Sequence, residues 1–158
     1  MKNFRTEFKW SLIFSVVMLG WMYLEKTWGW HDEKIAKHAL NTLWFGIPAL
    51  IVYFFALRDK RETDLGGKME WKQGFVSGII LSVLIAILSP LVQYIIHTYI
   101  SPDYFDNGIQ MALENGKTTK ENAEAYFNLN SYMIQAGLGG LCMGMVTGAV
   151  VALFVKKQ

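Results

Sequence analysis

The chain has 158 residues, a length for one domain, and 53% of them are hydrophobic while only 18% are charged, against roughly 25% in soluble domains. A formal net charge of +2 without a dense basic patch excludes nucleic acid as the partner. The one cysteine, Cys142, cannot close an intrachain disulfide, and its apolar surroundings suit a small packing residue rather than a reactive thiol.

Lys2, Arg5 and Lys9 precede an uncharged run over residues 10–24. A basic start followed by an apolar run is the pattern of a signal peptide, but no A-x-A-like site follows and the run exits into Tyr23-Leu24-Glu25-Lys26. An uncleaved first span over about residues 8–25 is therefore expected, lengthened by Phe8 and the aliphatic stem of Lys9. A polar connection follows with His31, Asp32, Glu33, Lys34 and Lys37. The second span, about 36–57, contains Gly46 and Pro48, which predict a kink. The connection beyond it is the most basic, with Arg58, Lys60, Arg61, Lys68 and Lys72, and Gly66-Gly67 makes a turn.

The third span, about 73–100, carries no formal charge, and Pro90 is expected to interrupt it and set off an outer segment with Gln93, His97 and Tyr99. Gly74, Gly78, Ser82 and Ala86 recur every fourth residue in it. Residues 101–125 form the longest polar segment. Ser101-Pro102 suits a helix start, Gly116 a helix end, and Phe105, Ile109, Ala112 and Leu113 share a face, which predicts a short amphipathic helix on the membrane. Thr118 and Glu121 match a capping box. A helix from there to residue 155 would be longer than a ~30 Å hydrocarbon core, so it must tilt, break or project. Its membrane part, about 126–155, holds Ala136, Gly140, Gly144, Gly148 and Ala152 at four-residue spacing, a glycine zipper. In water each glycine would cost roughly 1 kcal/mol against alanine. In lipid, small residues so spaced let another helix backbone approach closely.

The fold expected is thus an all-α membrane protein of four transmembrane helices, with a short amphipathic outer helix between the third and fourth. The N-terminus, the connection between spans two and three, and Lys156-Lys157 hold ten of the 15 basic residues, so both termini are expected in the cytoplasm. That orientation sets Gly74, Gly78 and Ser82 at the depth of Gly144, Gly148 and Ala152. Two arrangements use the grooves: an antiparallel hairpin of spans three and four, favoured because it needs no second molecule, or a homodimer through span four.

Polar groups in a membrane are candidates for function. Here they lie towards the non-cytoplasmic side: His38, Asn41, Gln93, His97 and Gln135 outline a candidate pocket, while the inner half holds only Gln73, Ser77, Ser82 and Thr147. The same residues also suit helix packing at the interface. A continuous ion path would need polar groups at every depth. His31 and His38 are seven apart, with Asp32 and Glu33 between, but no HExxH or CxxC spacing accompanies them and such groups in a connection are usually solvated, so no metal is expected. No GxSxG or other nucleophile pattern is present, and Gly-Leu-Gly-Gly at 137–140 lies within a span, so no catalytic residues and no cofactor are expected.

Three features carry a resemblance to a known family: Arg58-Asp59-Lys60 followed by Gly66-Gly67 and Glu70-Trp71-Lys72-Gln73-Gly74; the junction Tyr99-Ile100-Ser101-Pro102-Asp103; and a glycine-containing last span ending in Lys156-Lys157. With these the chain resembles a bacterial family of small four-helix inner-membrane proteins, catalogued as a domain of unknown function. The glycine repeat of the last span is denser than that pattern. The resemblance implies an inner-membrane location in Gram-negative bacteria and no catalytic or binding residues. The function expected is a non-enzymatic interaction or accessory protein of the lipid bilayer, with a homodimer or another membrane protein as partner. The alternative is a small-molecule binder or transporter with the outward polar pocket.

Overall fold

The computed structural model describes residues 4–116 and 118–157. Lys2 and Lys117 lie outside them. Six helices follow in order: α1 (Arg5–Thr27), α2 (Ile35–Asp64), α3 (Trp71–Ile100), α4 (Tyr104–Glu114), α5 (Lys120–Tyr126) and α6 (Leu129–Val155). The described residues contain no strand, and one antiparallel bridge joins Met69 to Lys157. The chain is all-helical. Three helices, α2, α3 and α6, are long and apolar enough to cross a membrane. α1 is shorter, at 23 residues, and Arg5, Glu7 and Lys9 at one end and Glu25 and Lys26 at the other make it less apolar.

The four long helices touch in the ring order α1–α3–α6–α2, and the α3–α6 contact is much the largest. Its basis is the small-residue spacing. A Cβ placed on Gly78 would stand 2.8 Å from the Cα of Gly148, and one on Gly74 would stand 3.0 Å from the Cβ of Ala152. One turn farther up, Gly144 lies against the Ser82 hydroxyl and the Tyr53 phenol, which hydrogen-bond each other at 2.9 Å. The glycines Gly144 and Gly148 are thus taken up within the chain, by α2 and α3. Around them Tyr53, Ala56, Leu57, Leu81, Val151, Ala152 and Val155 form the main buried cluster.

Local chemistry decides where the helices bend. Helix α3 continues without a break through Pro90, which was expected to interrupt it. Proline gives the carbonyl of Ala86 no donor, and the Ser89 hydroxyl supplies one at 2.9 Å instead. Helix α2 opens with a 3₁₀ turn at Ile35–Lys37 and is irregular again at Thr42–Phe45, a 3₁₀ turn just ahead of Gly46 and Pro48, where the proline cannot bond the carbonyl of Trp44. Of the three ways to fit the long last helix, the chain takes the break. The Asn128 amide donates to the carbonyls of Glu124 and Ala125 at 3.0 and 2.8 Å, while its oxygen caps Ser131 N–H at 2.9 Å, so one side chain ends α5 and starts α6. The cap of α5 is Thr119, one residue beyond the expected Thr118.

One end of the bundle gathers the amino terminus, the α2–α3 connection and the carboxyl terminus. Lys60 bridges Glu7 at 3.1 Å and Asp64 at 2.9 Å, Lys9 and Trp10 both bond Asp59, and Arg61 reaches the carbonyl of Val155 at 2.7 Å. The opposite end is closed by the α1–α2 connection and by α4, and there the polar groups of interest lie.

Candidate functional site: a buried carboxylate–histidine cluster above an apolar crevice

Glu25 closes the last turn of α1, and the chain then reverses over it. Gly29 makes this possible with φ +76°, the left-handed conformation that favours glycine. Gly29 N–H returns to the carbonyl of Lys26 at 2.9 Å, Trp30 N–H to that of Glu25 at 3.0 Å, and Lys34 N–H to that of Gly29 at 2.8 Å. The turn lays the ring of His31 on the Glu25 carboxylate. His38, at the start of the α-helical part of α2, comes in beside it. Both Glu25 and His31 are 0% exposed, where solvated groups were expected for the histidines of this connection.

Hydrogen bonding here has a single consistent direction. Glu25 Oε2 takes the Nε2 atoms of both imidazoles, His38 at 3.0 Å and His31 at 3.4 Å, and Oε1 takes the indole N–H of Trp21 at 2.6 Å. An ionised carboxylate only accepts, so both histidines donate from Nε2 and, as neutral imidazoles, accept at Nδ1. Ser101 then donates to His31 Nδ1 at 2.6 Å, and Tyr104 to His38 Nδ1 at 2.9 Å. Tyr132 OH, 3.2 Å from Tyr104 OH, completes the chain. Burial pushes the Tyr104 phenol above its ordinary range, which keeps the proton on it.

Ser101 arrives through the wide π-turn Ile96–Ile100 that ends α3, closed by Ser101 N–H to the carbonyl of Ile96 at 2.7 Å. From α4, Asn107 bonds the carbonyl of His31 and the carboxylate of Asp32, both at 3.1 Å. The protein-facing positions of α4 are Tyr104 and Gly108, the latter packed under the ring of Phe127, while Phe105 and Ile109 are only partly covered.

The residues expected to outline a pocket divide into two groups. His38 belongs to the cluster. His97 adjoins it: its Nε2 donates to Gln93 Oε1 at 3.1 Å, its ring stacks on Phe105 at 4.2 Å, and it meets Tyr104 at 5.1 Å. His97 Nδ1 is buried with no partner among the described residues. Gln93 and Gln135 line a separate crevice of about 540 Å³ between α1, α2, α3 and α6. Its walls are otherwise mostly apolar, among them Phe14, Met18, Phe45, Ile85 and Met143. Ala136 and Gly140 of the small-residue stripe line it too, and no atom lies within 4 Å of where a Gly140 Cβ would stand. The stripe on α6 therefore has two uses: its lower half seats α3, and its upper half borders open space. Asn41 takes no part in the cluster or the crevice lining.

Sequence reasoning did not single out Glu25, Ser101, Tyr104 or Tyr132. One signal was available: the chain has three histidines, all at the same predicted end, and all three ring centroids lie within 5.3 Å of that of Tyr104. A further pocket of about 650 Å³ at the opposite end is bordered by Glu7, Lys60 and Asp64, and Lys60 pairs with both carboxylates. In comparison with known proteins, no curated protein and no solved structure matches the chain. A family model described as "Protein of unknown function (DUF4199)" matches residues 9–157, nearly the whole chain. The chain belongs to this family, protein of unknown function (DUF4199).

Proposed function

We propose that this is a non-enzymatic, four-span protein of the bacterial inner membrane that binds an apolar or amphipathic small molecule, such as a lipid chain, drawn from the bilayer. The crevice carries the reading. A space of about 540 Å³ is within the size range of small-molecule sites, and apolar walls with a few polar groups are their usual chemistry. Gln93 and Gln135 supply the amides that would orient a polar head, and the bare backbone at Gly139 and Gly140 gives room for a chain to lie flat. A crevice with space in it weighs for a binder over a pure interaction or accessory protein, whose polar side chains would pair across helices without a void. Transport is less well supported, because the small-residue contact of α3 and α6 closes the other half of the bundle.

Support for α1 as the fourth span comes from its exposed Phe8, Leu12 and Val16, an apolar face that only lipid would cover. The basic segments gathered at one end of the bundle suit a cytoplasmic location for both termini. The bacterial inner membrane rests on the sequence resemblance alone.

The test is photolabelling in lipid nanodiscs with a diazirine phospholipid whose carbene sits in the acyl chain. Labels are expected at Phe45 and Met143, in excess of those at lipid-facing Ile87. Gly140→Leu should remove that excess and leave the fold intact, since the new side chain enters open space. Equal labelling of all three sites, or no change in the variant, would refute the reading.

A further inference from the structure

We propose that Glu25, His31 and His38 form a binding site for a first-row divalent cation, with zinc(II) the best match. The three residues can each offer a donor atom, a carboxylate oxygen and two imidazole nitrogens, that all lie within 4.8 Å of one another. The two distances to Glu25 Oε2 are 3.0 and 3.4 Å. Tetrahedral zinc with bonds of about 2.0–2.1 Å holds its ligand atoms roughly 3.3–3.4 Å apart, so both carboxylate–imidazole distances are near those of a bound metal. Two histidines and a glutamate make a three-ligand set that leaves a fourth position for water or another ligand.

The groups behind the ligands fit as well as the ligands themselves. Metal-bound histidines generally donate their other N–H to an oxygen that fixes the ring. Here each Nδ1 faces a hydroxyl, Ser101 for His31 and Tyr104 for His38, and Trp21 holds the second oxygen of Glu25. Hydroxyls accept as readily as they donate. On metal binding each imidazole moves its proton from Nε2 to Nδ1, and Ser101 and Tyr104 turn from donor to acceptor. No proton is gained or lost, and the Tyr104 O–H can turn to the Tyr132 oxygen 3.2 Å away.

Charge gives an independent reason. Two glutamates are buried at opposite ends of the bundle, Glu7 and Glu25. Glu7 has its cation, with Lys60 at 3.1 Å. Glu25 has no lysine or arginine within ion-pair distance among the described residues; its partners are two imidazoles and an indole. Sealing an ionised carboxylate from water costs several kcal/mol unless it is paired, and a divalent cation at this point is the pairing that the chemistry of the donors invites. The sequence hid the set because its members come from a helix end, a tight turn and the next helix, so no short spacing motif records them.

The protein, purified without a histidine tag and stripped with chelator, is equilibrated with zinc, desalted and assayed for metal. About one zinc per chain is expected, with an X-ray absorption spectrum of nitrogen and oxygen ligands that includes imidazole scattering. Cobalt(II) should give the intense visible bands of a tetrahedral site in the wild-type chain, a readout that needs no variant. Glu25→Gln and His31→Gln should each abolish both signals, Tyr104→Phe should weaken zinc by about 10- to 100-fold, and exposed Glu33→Gln should bind as wild type. Wild-type protein that retains no zinc, a spectrum without imidazole, or retention unchanged by Glu25→Gln in a folded variant would each overturn the proposal.

Discussion

The contact between α3 and α6 makes a quantitative demand on Gly148. A methyl group there would stand 3.0 Å from the Cα of Gly78 and 3.3 Å from its carbonyl carbon. Carbon atoms in ordinary contact are about 3.5–4.0 Å apart, so Gly148→Ala must push two helix backbones apart by about 0.5 Å or more. Backbone cannot yield as a side-chain tip can, and overpacking of this kind costs about 1–3 kcal/mol. The better helix propensity of alanine returns up to about 1 kcal/mol. With that return made in full, the expected net loss is ~0–2 kcal/mol. Gly140→Ala makes the same chemical change on the same helix with no atom within 4 Å of the new methyl, so it should be neutral or slightly stabilising. Equilibrium unfolding by SDS in mixed micelles, followed by the fluorescence of the tryptophans, would compare the two, with oligomeric mass recorded beside it. Equal stability of the two variants would refute the packing argument. A dimeric wild type that Gly148→Ala converts to a monomer of unchanged stability would move this glycine to a subunit interface.

Two further substitutions probe the outer end by the same unfolding assay. Gly29→Ala puts a Cβ on a backbone at φ +76° and should cost roughly 1–2 kcal/mol, whereas Gly20→Ala on α1, with an ordinary φ and nothing within 4 Å, should cost nothing; equal effects would mean that the turn is not held in its left-handed form. Trp21→Phe keeps a ring but takes the 2.6 Å donor from Glu25 Oε1, and a buried acceptor left unpaired should cost about 1–3 kcal/mol. A stability within error of wild type would show that water reaches that oxygen.

Much of the architecture was legible because lipid simplifies the sequence. Long uncharged runs locate α2, α3 and α6, and the four-residue spacing of Gly74 and Gly78 against Gly148 and Ala152 records which faces meet, since only small residues allow the approach. The helix breaks were less legible because they depend on single side-chain bonds. Pro90 looks like an interruption until the Ser89 hydroxyl is seen serving the carbonyl that proline leaves free, and the break at Asn128 looks like continuous helix until its amide is seen bonding both sides. The cluster was least legible. His31 and His38 read as solvated residues of a polar connection, and only the reversal at Gly29 turns that connection inward onto Glu25. Periodicity can report a face, but it cannot report a turn that lays one face over the end of another helix.

The crevice and the cluster are separate spaces, and Gln93 and His97 lie between them. Gln93 lines the crevice, and its carbonyl oxygen holds His97 Nε2 at 3.1 Å. The His97 ring lies against Tyr104, whose hydroxyl fixes His38, and against Tyr132, whose hydroxyl bonds that of Tyr104. A polar head bound by the Gln93 amide competes with His97 for that oxygen, and a rotated His97 would disturb the two tyrosines that set the direction of the cluster's hydrogen bonds. If both sites bind their ligands, any such influence would run equally the other way, because coupling between two binding equilibria is reciprocal. Four contiguous side chains, Gln93, His97, Tyr104 and Tyr132, thus lie between the crevice and the imidazoles of the cluster.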